Sequence, residues 1–349
     1  MATPAVRALR NHFSSAQLIG IMKTYVAGVF EPNPWFDAIE TTGAGSRTQR
    51  LPAVIRRLRH RQIDLAVLFP NSFRSALIAR LSGCRERIGY ARYGRNFLLT
   101  KAIEPIRDGR GRLLPSPIID AYNRLARAAG CPLPSRQMEL FTTANDEAIA
   151  DLVWRKTGLT TRPEVVCLNP GAAFGSAKCW PIEYFAELAR GLAKERSCGV
   201  LVLCGPSERA LARKIVDAAL QPSVFSLGDH PLSLGLTKAC IRRANLLVTT
   251  DSGPRHFAAA FGKPVVTLFG PTHITWTETY YPRAINLQRK VDCGPCQLRV
   301  CPLDHRCMKD LTPAEVFKYA VHLLNQNNAP APNPIAEHSL REQDSHDAA

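Results

Sequence analysis

The stretch LLVTTDSGPRHFAAAFGKPVVTLFG, residues 246–270, sets a polar turn, Asp251-Ser252-Gly253, between an apolar run and a helical one. Pro254 suits a first helical turn, where its missing N–H would have no partner anyway. Asp251 or Ser252 can cap the free N–H groups, and Gly253 lets a ligand approach the backbone. A helix opening at the carboxyl end of a parallel strand favours anions, phosphate above all. The same residues also describe a plain capped helix.

Three further stretches bear chemistry. In NPGAAFGSAKCWP, residues 169–181, Lys178 stands at the end of a Gly/Ala-rich loop, just before a helix opening at Pro181. A lysine among loop N–H groups beside a helix N-terminus suits a diphosphate. A surface lysine on a long loop would read the same way. The order is not that of a Walker loop, which needs G-x-x-x-x-G-K-[ST]. At Gly205-Pro206-Ser207-Glu208 another strand runs into a helix. There Glu208 can accept from a ribose or simply favour the positive end of its own helix. In CGPCQLRVCPLDHRC, Cys293, Cys296, Cys301 and Cys307 fall close together, with His305 beside nothing that would make it a base. Such thiols can ligate a structural zinc or an iron–sulfur cluster, or form a reduced cluster or a labile disulfide.

Positioning these residues falls to short apolar strands alternating with amphipathic helices, the doubly wound α/β pattern. In the first half, helices are predicted at 3–13 (Thr3 as cap, Pro4 in the first turn), 25–30, 51–61, 73–82 and 117–129. Strands are predicted there at 17–22, 36–40, 64–70 and 87–90, with a Gly/Arg-rich loop over 93–111. A less regular stretch from Cys131 to Pro163 holds one helix, 145–156. Beyond it, strands at 165–169, 199–205, 223–227, 246–250 and 265–269 alternate with helices at 181–196, 207–219, 233–243 and 254–261. A last helix covers 312–325. The implied domains are 1–145 and 163–326, joined by 146–162 and followed by a disordered tail at 327–349. The cleft between them is the default ligand site.

The net charge of +16 is concentrated early, in arginines from Arg47 to Arg95. Much of it is expected on solvated helix faces. Such a field attracts polyanions: nucleic acid, an anionic membrane surface or a phosphorylated acceptor. No recognition helix or RNP signature is present, so nucleic acid is not expected as a partner. No apolar run approaches the roughly 18–20 residues that span a bilayer, and the opening MATPAVRALRNHF reads as a basic amphipathic helix rather than a signal peptide. A cytoplasmic protein is the expectation. Cys167 and Cys204, in apolar strands, should pack as small hydrophobes.

Taken together, FRSALIARLSGCRERIGYARYGRNFLLT, LNPGAAFGSAKCWP, TTDSGPRHFAAAFGKPVVTLFGPTHITWTETYYP and CGPCQLRVCPLDHRCM resemble the glycosyltransferase family 9 heptosyltransferases. The resemblance runs from about residue 2 to 325. It implies a GT-B fold, two Rossmann-like doubly wound domains facing a cleft, with the acceptor on the N-terminal domain. ADP-L-glycero-D-manno-heptose would sit on the C-terminal one and pass its heptose, with inversion, to the anionic heptosyl-Kdo inner core of lipopolysaccharide. By the same resemblance Lys178 and Asp251 are the catalytic candidates. Lys178, Ser252 and Gly253 would hold the diphosphate, Asp251 would face the donor heptose and Glu208 the ribose, with His256 also in the donor site. No cofactor is required, a structural zinc at the four cysteines being the alternative. Work at the cytoplasmic face of the inner membrane, with peripheral contact to its surface, would follow.

The family's base is an aspartate in a Gly-Asp pair after the first strand, followed by a segment like VMATPA. This chain begins at Met1-Ala2-Thr3-Pro4-Ala5, just after that position. The expectation is therefore a chain lacking that strand and base, through a misassigned start or a truncated gene. Two other readings stay open: a sugar-nucleotide epimerase of the same fold, and a non-catalytic basic protein that binds polyanions.

Overall fold

The computed structural model describes residues 1–43 and 50–327; Arg47 and the tail beyond 327 lie outside the described residues. The chain opens with helix α1 (Thr3–His12), β1 (Ile19–Lys23), α2 (Thr24–Ala27), β2 (Ala38–Thr42), α3 (Leu51–His60), β3 (Leu65–Leu68), α4 (Phe73–Leu81), β4 (Glu86–Tyr90), β5 (Lys101–Ile103) and α5 (Ile118–Ala128). Every strand pairing here is parallel, but the strands form two sheets, β1-β2 and β3-β4-β5. Among the described residues no strand is hydrogen-bonded between these two sheets. One apolar cluster spans both, with Ala5 and Leu9 of α1, Leu18, Val67, Phe69 and Ala126 of α5. Strand β5 lies in the stretch predicted as loop, and its three residues are too few to show alternation. Thr3 is not the cap of α1. Ala2 takes that place, and the Thr3 hydroxyl accepts from the Glu139 N–H at 3.2 Å, tying the helix to the connecting segment.

Helix α6 (Ala144–Thr157) bridges the halves. Its capping box pairs Thr143 with Asp146, and it stops at Gly158, whose φ of 67° needs a glycine. There follow β6 (Val165–Asn169), α7 (Ile182–Glu195), β7 (Gly199–Val202), α8 (Arg209–Ala219), β8 (Val224–Ser226), α9 (Leu234–Arg243), β9 (Leu246–Thr250), α10 (Gly253–Ala260), β10 (Val265–Phe269), β11 (Ala284–Gln288), α11 (Arg306–Lys309) and α12 (Pro313–Asn327). One parallel six-stranded sheet results, in the order β11-β10-β9-β6-β7-β8. Strand β11 and helix α11 were not foreseen.

The strands of this sheet read as unbroken apolar runs because both faces are covered. Val166, Leu168, Val200, Val202, Leu246 and Val248 pack under α7, α8 and α12. The alternate residues Val165, Cys167, Leu201 and Leu247 pack under α6, α9 and α10. Cys167 and Cys204 are buried as expected, and burial pushes their thiols up to about 12 and about 11. Lys238 of α9, fully buried, donates to Val29 O at 3.3 Å and to Glu31 O, so the two halves share a buried ammonium. No helix of the described residues is long and apolar enough to cross a membrane.

Helices α6 and α9 are locked by Glu147, which accepts from Arg242 at 2.9 Å and Arg243 at 2.8 Å. Burial pushes this carboxyl upward, but hydrogen bonds from Arg242, Thr142 and Arg243 outweigh it and hold it at about 2. Its stabilising contribution is complete above the ordinary value of 4.5 and is lost as pH falls toward about 2. Glu147→Gln should therefore cost about 1 kcal/mol at neutral pH, allowing for solvent screening of a part-exposed pair. The loss should shrink as pH approaches about 3. Denaturant titration of both proteins at the two pH values measures it.

Candidate functional site

The chain leaves β6 toward β7 and β8 on one side and returns through β9, β10 and β11 on the other, so strand order reverses between β6 and β9. The segments leaving two such strands diverge to opposite faces, opening a crevice at their carboxyl ends. Those segments here are the Lys178 loop and the Asp251-Ser252-Gly253 turn. Their bases are stitched together. Asn169, last in β6, donates to Thr249 Oγ1 at 3.0 Å and Ser252 Oγ at 2.9 Å, and the Thr250 hydroxyl donates to Gly171 O at 2.9 Å.

Across the crevice Lys178 Nζ donates to Asp251 Oδ2 at 2.6 Å and to Asp251 O at 3.0 Å. Both residues are buried, Lys178 at 9% and Asp251 at 5% exposure. The carboxylate is fully engaged. Oδ2 also accepts from Thr272 at 2.8 Å, while Oδ1 meets the Thr277 hydroxyl at 3.3 Å and Arg255 Nη1 at 3.4 Å. Arg255 donates further to Thr277 Oγ1 at 2.8 Å and Asn286 Oδ1 at 3.1 Å. Two cations around one carboxylate leave a net positive charge in a nearly dry crevice, where it acts strongly on an approaching anion.

Neither expected cap operates. Ser252 occupies the N-cap position of α10 but makes no side-chain cap bond, because its hydroxyl is engaged by Asn169 and Thr249. Asp251 is committed to its cations. Pro254 has no N–H and the Arg255 N–H already donates to Ser252 O at 3.3 Å, so in the first turn of α10 it is the Gly253 N–H that can meet an anion. At Gly253, exposed and with open space where a Cβ would stand, a ligand can touch the backbone.

Glu208 closes the turn before α8 by accepting from the Gly205 N–H at 2.8 Å. It also abuts Gly171 so closely that a Cβ there would overlap its carboxylate, which brings it to the start of the Lys178 loop. His256 follows Arg255 on α10; its Nδ1 is shielded from solvent and unpartnered. Burial, aided by the positive charges of the chain's amino group, Arg255 and Lys178, holds it well below the ordinary 6.5.

The Lys178 loop is braced from outside by the cysteine segment. The Ala177 N–H donates to Arg299 O at 3.0 Å, and His305 Nε2 lies 2.7 Å from Ala177 O. At Gly175, φ is 154° and any Cβ would overlap the Arg299 carbonyl. Trp180, stacked edge-on against Phe185, donates to Leu311 O at 2.8 Å and pins the other end of the loop. Cys293, Cys296, Cys301 and Cys307 line one cavity of about 20 Å³, all as free thiols. Among the described residues no group of three or more His, Cys, Asp or Glu side chains is placed to hold a metal ion. Burial, with the neighbouring thiols adding, pushes Cys307 up to about 11.

Arg255, Thr272 and Thr277 were missed from the sequence. The i,i+4 spacing of Asp251 and Arg255 was the one available signal; the threonines, on the loop after β10, gave none.

The profile described as glycosyltransferase family 9 (heptosyltransferase) matches residues 51–306. Lipooligosaccharide heptosyltransferase 2 of Campylobacter jejuni serotype O:2 is 32% identical over 170 residues, 47% of this chain and about half (52%) of that relative's length. The serotype O:6 protein of the same name is 25% identical over 324 residues, 91% of this chain and 93% of the relative. The solved structure of E. coli ADP-heptose lps heptosyltransferase II superposes with a TM-score of 0.76 at 23% identity, covering 94% of this chain and 95% of that one. The fold is GT-B.

Two outcomes test this description of the site. Gly175→Ala should cost about 1–3 kcal/mol through overlap and backbone strain, and amide exchange at Ala177 should accelerate as the brace to Arg299 loosens. His256, held neutral in the folded protein, should make stability fall as pH drops below the ordinary 6.5, where only the unfolded chain gains the proton, by at most about 1.4 kcal/mol per pH unit. Thermal melts of His256→Leu should show a shallower decline than wild type across that range.

Proposed function

The chain belongs to glycosyltransferase family 9, and from that premise we propose that it moves L-glycero-D-manno-heptose from ADP-heptose to the heptosyl-Kdo inner core of lipopolysaccharide. The observation that carries the reading is the meeting of Lys178, Arg255 and the uncapped start of α10 at the reversal of strand order. Such a place suits the pyrophosphate of a sugar nucleotide, with Glu208 near enough to Gly171 to meet a ribose.

The acceptor hydroxyl attacks the anomeric carbon from the face opposite ADP, the C–O bond to phosphate breaks, and the anomeric centre inverts. Negative charge grows on the departing diphosphate. A lysine and N–H groups already aimed at it stabilise that charge more in the transition state than in the ground state. No cofactor is required for this. The hydroxyl proton needs a base. Asp251 does not suit that task, since both its oxygens already bond cations or hydroxyls; it is a positioning group for Lys178. An anionic, membrane-borne acceptor suits the arginine-bearing N-terminal half and places the work at the cytoplasmic face of the inner membrane. Nucleic acid has no part in the reading.

A transfer assay with ADP-heptose and heptosyl-Kdo acceptor, followed by ADP release, tests the activity. Lys178→Ala is expected to lower kcat by about 10²–10³-fold and to weaken ADP binding about tenfold, with an unchanged circular dichroism spectrum. Asp251→Asn should also impair transfer, because it frees Lys178 from its anchor, and should lower the melting temperature. Calorimetry separates the alternatives. Binding of UDP in preference to ADP would favour an epimerase, and salt-dependent oligonucleotide binding with no nucleotide preference would favour a polyanion-binding protein.

A further inference from the structure

The segment that joins β11 to α11 lies outside the site described above, yet it shares a wall with it. Ala177, one residue before Lys178, lines the same cavity of about 20 Å³ as Cys293, Cys296, Cys301 and Cys307. Accessibility divides the four thiols. Cys293 and Cys296 are exposed, Cys301 is half-buried and Cys307 is buried; among the described residues no other cysteine is exposed. A dissolved oxidant therefore meets Cys293 and Cys296 first. Burial pushes Cys307 up to about 11, which leaves it little thiolate with which to compete.

The path from these two thiols to Lys178 is short. The Gly294 N–H donates to Val291 O at 3.0 Å and the Gln297 N–H to Pro271 O at 2.7 Å, so the pair stands between two fixed points. Just beyond, Arg299 O accepts from the Ala177 N–H at 3.0 Å, and His305 Nε2 lies 2.7 Å from Ala177 O. The Phe174 ring adds a second link, with Lys178 Nζ 4.8 Å and the Arg299 guanidinium 5.7 Å from its centre. Leu298, Val300 and Leu303 are exposed, so little apolar packing holds this stretch beyond those contacts. Gln297 and His305 stand in the left-handed region, with φ of 59° and 64°. Neither is a glycine, and such conformations persist only while their surroundings enforce them. A displacement at Gln297 is thus passed on to Ala177.

We propose that Cys293 and Cys296 are a modification site, a dithiol that a low-molecular-weight disulfide oxidises, and that the resulting bond releases the Lys178 loop. One protein thiolate attacks a sulfur of the oxidant, whose S–S bond breaks and expels a thiol. The second protein thiolate then attacks the protein sulfur of the mixed disulfide and expels the other thiol. Two cysteines lose two protons and two electrons, and the oxidant is reduced to two thiols. The bonded sulfurs must come to about 2.05 Å, closer than two free thiols stand. Closing the bond draws Cys296 and the adjoining Gln297 toward Cys293, and the grip of Arg299 on Ala177 loosens. Reduction restores it. The consequence for ligand binding rests on the reading of Lys178 as a diphosphate ligand proposed above.

The test equilibrates the full chain, at about pH 8 where free thiols are partly ionised, in buffers rich in either reduced or oxidised glutathione. Free thiols are then alkylated and tryptic peptides are weighed. Cleavage after Lys290 and Arg299 isolates Cys293 and Cys296 in one peptide, apart from Cys301 and Cys307. In the oxidising buffer that peptide should escape alkylation and be lighter by two hydrogens. Amide exchange at Ala177 should accelerate, and the ADP dissociation constant from calorimetry should rise about three- to tenfold. Dithiothreitol should reverse all three changes. The double variant Cys293→Ser/Cys296→Ser should bind ADP in both buffers as the reduced wild type does.

Equal exchange at Ala177 in the two buffers overturns the proposal. So does a disulfide that runs through Cys301 or Cys307, or a metal ion that co-purifies with the chain and shields all four thiols from glutathione. Failure of the reduced wild-type chain to bind ADP would instead strike the diphosphate reading of Lys178, while peptide masses and Ala177 exchange still decide the modification site.

Discussion

The C-terminal half is organised around one buried carboxylate. Removing Asp251 from water costs several kcal/mol unless its lone pairs are filled and its charge matched. The protein meets that cost with groups from three separate segments: Lys178 from the loop after β6, Arg255 from α10, and Thr272 and Thr277 from the loop after β10. None of these segments has much internal reason to adopt its conformation. The Lys178 loop is glycine-rich, and α10 is short. Because one anion holds two cations, the cluster is pre-assembled yet positively charged overall, which is what a site for a leaving diphosphate requires.

The N-terminal half solves the opposite problem. Arg95 is a buried cation with no carboxylate, satisfied by three backbone carbonyls and two side-chain oxygens. Carbonyl dipoles can solvate a guanidinium and still leave its charge uncancelled. The C-terminal half thus confines its positive charge around an anion, whereas in the N-terminal half Arg92, Arg95 and Arg124 have no carboxylate partner among the described residues. A field of that kind attracts anions from beyond contact distance, within the screening length of about 8 Å at physiological salt.

Much of this architecture could be read from residue order, and the limits follow from what order encodes. Strands β6, β9 and β10 were placed to the residue because burial on both faces writes a contiguous apolar run flanked by turn residues. Lys178, Ser252 and Gly253 could be singled out because strand–loop–helix grammar is local. The Lys178–Asp251 pair is a contact across 73 positions of sequence, and nothing local announces it. The assignment of Asp251 or Ser252 as cap failed for the same reason: capping propensity is local, but remote partners had already claimed both side chains. Arg95 was read as solvated because arginine usually is. Its burial depends on carbonyls of residues 70, 72 and 90 converging, which composition cannot show. The cysteine segment carried a spacing that suggested metal chemistry, while its visible contribution is mechanical, two bonds to Ala177 that hold the Lys178 loop.

The loop between β10 and β11 joins these separate solutions. Within nine residues it supplies Thr272 and Thr277 to the Asp251 carboxylate, Trp276 to the cavity at the ends of β3 and β4, and Tyr280 to Asp120 on α5. A segment so short cannot adjust at one of these points without straining the others. A GT-B enzyme must bring two substrates from two domains into one line of attack, where a small misplacement of reacting atoms is expensive. Tying the Asp251 cluster and the cavity at the ends of β3 and β4 to one loop fixes where the two stand relative to each other.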